Sequence, residues 1–179
     1  MVNTQLKQLI PGNPGTSFVV ALLYALKQKY KVEIKNNDQL TLFSKGIVNS
    51  RNVFFSGVIN EIAAHFNKKI TFLSNSAFIL KLARPELNKV EIKAEQSILD
   101  KAVLDKLIET NGYVVFSVDI YQFKGYHDYH FVCISKESGV YKIFEPKSGD
   151  VFEKDKSEIV ELISSITLGL KDILMCFVV

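Results

Sequence analysis

Tryptophan is absent, and only Arg51 and Arg84 are arginines among 22 basic residues. Arginine is the better fork for phosphates and base edges, so its scarcity argues against nucleic-acid readout. The net charge of +3 is too small to argue the other way. Glycine (9) and proline (4) are sparse, and no linker-like stretch or internal repeat breaks the chain, so one domain over residues 1–179 is expected. No apolar run approaches the ~18–20 residues that a membrane-spanning helix needs, which excludes membrane insertion from the reading. The opening residues, MVNTQLKQLIPGNPG, have neither the charged start nor the apolar stretch of a signal peptide. They point to a cytoplasmic protein, or to one exported by a route that leaves no such signal. The two cysteines, Cys133 and Cys176, fall in the strand-like runs FVCIS and LMCFVV and read as buried thiols.

Bulk comes instead from 13 Phe, 7 Tyr and an aliphatic background that brings the apolar share to 47%. That composition excludes a disordered chain, a collagen and a coiled coil. A chain of 179 residues buries roughly 70% of its unfolded surface, so it needs neither disulfide nor metal to stand.

The first helix announces itself clearly. Asn13 is a good N-cap, Pro14 suits the first helical position, and the run Phe18 to Leu26 is apolar nearly all round until Lys27. Such a helix belongs in the centre of the protein. Helical spacing predicts further helices over Asp38–Val48, about Val53–Phe66 and about Ser97–Glu109, the last ending at Asn111-Gly112. A short strand is expected over Lys69–Leu73, and residues 74–94 are ambiguous around Pro85. The period then changes. Tyr113–Tyr121 reads as a strand, and Gln122–Asp128 as a polar loop. Tyr129–Lys136 and Val140–Glu145 form a hairpin around Glu137-Ser138-Gly139. A helix over about Asp155–Leu168 and a strand over Ile173–Val178 close the chain. Helices first and an antiparallel sheet afterwards make an α+β layout.

The hairpin brings His130 and Glu145 into relation. With a two-residue turn at Glu137-Ser138, Lys136 faces Gly139 and His130 faces Glu145, with Cβ atoms about 4.5–5.5 Å apart. A bulge at Gly139 slips the pairing by one. A carboxylate that close can hold one imidazole nitrogen and leave the other free as a base. The ordinary reading is a strand histidine that happens to lie near a glutamate. Metal is not expected at His127-Asp128-Tyr129-His130. Residues three apart on an extended chain point to opposite faces, and no acidic or cysteine cluster completes a set. Gly12-Asn13-Pro14-Gly15 lacks the Gly-Lys-Ser/Thr core of a phosphate loop, and Pro14 removes a donor. His65 reads as a surface or boundary residue.

Several stretches together resemble the peptidase C39-like family of the papain-like cysteine peptidase superfamily. They are the apolar strand from Tyr113, His130-Phe-Val-Cys-Ile-Ser after a loop, and the Gly139 turn. Glu145-Pro146-Lys-Ser-Gly149 and Phe54-Phe55-Ser56-Gly57 before an Ala-containing helix complete the set. The resemblance implies a papain-like α+β fold, with N-terminal helices packed on an antiparallel β-sheet. It gives His130 the place of the general base and Glu145 that of the orienting acid, one methylene longer than the family's Asp. Gln8 takes the oxyanion-hole position, and Asn13, Gly15 and Thr16 surround the start of the first helix, where substrate would bind.

The departure decides the functional expectation. The family's nucleophilic cysteine falls on Pro14, or on Asn13 if the alignment slips by one. Neither can attack a carbonyl, and neither Cys133 nor Cys176 lies near a helix start. The resemblance therefore implies a degenerate, non-catalytic domain that binds a peptide or an extended protein tail in the former substrate cleft. Some transporter-associated members of the family have lost their cysteine in this way. No cofactor, metal or nucleic acid is implied. The alternative is an active peptidase, hydrolase or acyltransferase in which the hydroxyl of Ser17 or Thr16 attacks and the His130–Glu145 pair supplies the base.

Overall fold

The computed structural model describes residues 6–9, 14–35, 37–48, 56–94, 101–119, 129–159 and 175–179. Proline begins the first helix, α1 (Pro14–Tyr30), as its fixed φ and missing N–H favour. Asn13, the expected cap, lies outside the described residues. From Thr16 to Leu26 every side chain of α1 is buried except the half-buried Tyr24. A helix without a polar side must be covered on every side.

The covering comes from two directions. On one side stand α2 (Asp38–Ile47) and α3 (Ser56–Phe66). On the other stands a seven-stranded sheet. Its strands are β1 (Thr71–Ser74), β2 (Glu91–Ala94), β3 (Tyr113–Asp119), β4 (Tyr129–Glu137), β5 (Val140–Glu145), β6 (Asp150–Lys154) and β7 (Met175–Val178). Their order is β2-β1-β7-β3-β4-β5-β6. The architecture is α+β, but the sheet is mixed: β2 runs parallel to β1 while the other neighbours are antiparallel. The ambiguous stretch 74–94 contains that strand and a short helix, α4 (Ala77–Ala83), capped by the Ser76 hydroxyl, which accepts from the Ile79 N–H. A parallel neighbour needs a crossover, and α4 supplies it.

Strand alternation divides the interior into two cores. Phe72, Val115, Cys133, Phe144 and Phe177 face α1. Leu73, Phe116, Ile134, Ile143 and Cys176 face the opposite side, where Leu107 and Ile108 of α5 (Lys101–Asn111) and Ile159 cover them. Cys133 stands opposite Val115 and Cys176 opposite Phe116, the adjacent residue of β3. The two thiols therefore lie on opposite faces of the sheet; both are buried and no disulfide joins them. Aromatic contacts seat α1 on the sheet: Phe18 meets Phe131 edge-on at 5.0 Å, and Tyr24 stacks on Phe144 at 3.8 Å. Burial pushes the Tyr24 phenol up to about 12.

The expected helix over 53–66 begins at Ser56 among the described residues, and the one near 97–109 is α5, reaching Asn111. Residues 156–159 form one helical turn where a longer helix was expected, and 160–168 lie outside the described residues. Among the described residues no helix is long and apolar enough to cross a membrane. His65 is exposed on α3, as expected of a surface residue.

The two helices behind α1 meet at Gly46. A Cβ there would stand 2.3 Å from the Val58 Cα, so only glycine permits this crossing. Gly46→Ala is expected to destabilise the protein by about 1–3 kcal/mol through overpacking against backbone. A urea transition with a lowered midpoint and an unchanged slope checks this.

Candidate functional site

The hairpin register differs from the expectation. Glu137 pairs with Val140, so the turn is Ser138-Gly139, with φ of 50° and 84°. Two consecutive left-handed residues make the I′ geometry, whose twist matches that of the flanking strands. The turn thus centres one residue later than Glu137-Ser138, and the pairing shifts by two positions. Phe144 faces Cys133, and continuing the register sets position 145 opposite Val132. His130 and Glu145 are diagonal neighbours in the ladder, not direct partners. His130 pairs with Val118 on β3, and its side chain is outside what is described.

Glu145 is buried and committed locally. Its two carboxylate oxygens accept from the Lys147 and Ser148 N–H groups, each at 2.9 Å, and its carbonyl accepts from the Gly149 N–H at 2.8 Å. Gly149 sits at φ 78°, a conformation that favours glycine. The motif Glu-Pro-Lys-Ser-Gly thus builds a tight turn around its own carboxylate. The same turn reaches the N-terminal segment, because the Gln8 N–H donates to the Pro146 carbonyl at 2.7 Å.

From Gln8 the contacts run on to the start of α1. The Gln8 amide Nε2 donates to the Thr16 hydroxyl. Next in the chain, the Ser17 hydroxyl accepts from the Phe131 N–H at 3.2 Å, one residue after His130. Both hydroxyl residues are buried. Gln8, Thr16, Ser17, the start of β4 and the Glu145–Gly149 turn therefore meet at one corner. Gly15 lies in the first turn of α1 between Pro14 and these residues, whereas Asn13 is outside the described residues.

Gln39 belongs to this corner and was missed at the level of sequence. It is buried on α2, where its Nε2 donates to the Lys7 carbonyl at 2.8 Å and its Oε1 accepts from the Leu9 N–H at 3.0 Å. One carboxamide thus clamps the backbone on both sides of Gln8. The only signal was an amide on the face of a helix that Leu42 and Phe43 turn inward, whereas Leu40 and Ile47, expected inward as well, are exposed; polar side chains on the buried face need a partner.

No thiol serves this corner among the described residues. Cys133 lies inside the core against α1, and burial pushes its pKa up, which disfavours the thiolate. Nor do three His, Cys, Asp or Glu side chains gather as a metal site among the described residues.

Gln39→Leu is expected to cost about 1–2 kcal/mol by removing both hydrogen bonds. It should also raise the hydrogen-exchange rates of the Gln8 and Leu9 amides above those of α1, which nuclear magnetic resonance can follow residue by residue.

No protein-family model matches this sequence, and no curated protein matches it either.

Proposed function

We propose that this chain is a papain-like, C39-like domain without peptidase activity that holds a peptide or an extended protein tail in the former substrate cleft. The observation that carries the reading is how the two candidate hydroxyls are used. Thr16 receives the Gln8 carboxamide and Ser17 receives the Phe131 N–H, and both are buried in the frame of the corner. A nucleophile must have its oxygen open to the carbonyl it attacks. Pro14 at the first helical position offers neither a nucleophile nor an N–H for an oxyanion.

What the corner retains suits binding. Gln8 is clamped by Gln39 and anchored to Pro146, so its segment is held before any ligand arrives. A preorganised site loses less entropy on binding.

Titration with an unbiased pool of extended peptides, followed by amide shifts, tests the reading. Saturable shifts are expected at Gln8, Thr16, Phe131 and 147–149. Saturation with shifts confined to other residues, or no saturation at millimolar peptide, would overturn it. The hydroxyl-nucleophile alternative predicts that an acylating probe of serine hydrolases labels Ser17 or Thr16. The binding reading predicts no adduct at either residue by mass spectrometry.

A further inference from the structure

A concavity lies at the far end of α1, roughly 18 Å along the helix from Ser17 at 1.5 Å per residue. It encloses about 440 Å³, within the size range of small-molecule sites. Its floor is apolar, made by Leu73, Leu107, Val178 and the ring of Tyr30. Around that floor stand Lys29, Lys69, Lys93 and Lys106, with Glu91 as the one acidic side chain among the described residues of the lining.

The charge does not balance. Glu91 neutralises one ammonium, pairing with Lys69 at 2.9 Å and Lys93 at 3.3 Å while the Thr71 hydroxyl donates at 3.0 Å. The lysine hydrogen bonds and that of Thr71 hold the Glu91 carboxyl down near 2, so it remains ionised in any ordinary buffer. The last turns of α1 and α5 also end here, and each helix C-terminus carries about half a negative charge. With Lys29 given over to Val179, the ammoniums of Lys69, Lys93 and Lys106, less one for Glu91 and about one for the two helix ends, leave about one positive charge among the described residues. Lys29 donates to the Val179 carbonyl, which fixes that side of the rim. Lys106 is exposed and has no ion-pair partner among the described residues.

All the cations are lysines. An ammonium is a point donor, so three of them can each take a different oxygen of a tetrahedral phosphate dianion, which a planar carboxylate monoanion with two oxygens does not offer. We propose that the concavity between the C-terminal ends of α1 and α5 and the starts of β1 and β2 binds a small organic phosphate monoester. Its dianionic head lies among Lys69, Lys93 and Lys106, and its apolar body lies over Tyr30 and Leu107.

Phenyl phosphate is the probe, followed by amide shifts of the whole chain at low salt. Saturable shifts are expected over 69–73, 91–93 and 106–111, with those of Gln8 and Thr16 unmoved. Lys106→Gln and Lys93→Gln should each weaken binding by about thirtyfold at low salt, the loss of one unit charge facing a dianion at about 4 Å in water. Lys45→Gln, an exposed lysine on α2, should change nothing. Overall spectra that superpose on the parent's confirm that the variants fold. Three outcomes would overturn the proposal: shifts that rise linearly without saturating, equal weakening by Lys45→Gln, or binding of glutarate as tight as that of phenyl phosphate. The last would mark a general attraction between lysines and anions.

Discussion

The burial of α1 is the constraint on which the rest of the molecule depends. From Thr16 to Leu26 the helix presents apolar or small side chains in every direction. It cannot lie on a surface, so the sheet must close one side and α2 with α3 the other. The close crossing of α2 and α3 at Gly46 brings that second layer into contact. The sheet then has its own far face to bury, and α5 with Ile159 covers it.

The two ends of α1 differ in kind. At the N-terminal end, polar groups are tied to one another through the N-terminal segment. Gln39 holds that segment, Gln8 reaches Thr16 and Pro146, and Ser17 meets β4. Each polar group taken from water into this corner must find a partner, and the hydroxyls become part of the frame in doing so. That use of the hydroxyls underlies the reading as a binding domain. At the C-terminal end, helix carbonyls and Glu91 are outnumbered by ammoniums around an open concavity. One end is built by hydrogen bonds among polar groups, the other by an excess of ammonium charge.

Glu145 illustrates how a residue type can serve two readings. A buried carboxylate after a strand can orient a histidine or close a turn. Its oxygens accept from Lys147 and Ser148, so the turn that anchors Gln8 depends on it whether or not His130 does. The shift of the hairpin by two positions has a related origin. Ser138 and Gly139 both accept left-handed backbone, and the strand twist favours that pair over Glu137-Ser138.

Local chemistry determined much of this protein by itself. Pro14 and the unbroken apolar run declared the central helix. Alternation declared β3, β4 and β5, and the change of period after Gly112 declared the α+β order. The placement of Cys133 and Cys176 in strand interiors followed from the residues around them. Only the tertiary structure decided the parallel pairing of β1 with β2, because Glu91–Ala94 is too short and too polar to signal a strand alone. It likewise decided the hairpin register, the clamp of Gln39 on Lys7 and Leu9, and the meeting of four distant lysines. Periodicity reports which face of an element is buried. It carries no record of which distant backbone group a buried amide will find, or of which surface charges the fold will bring together.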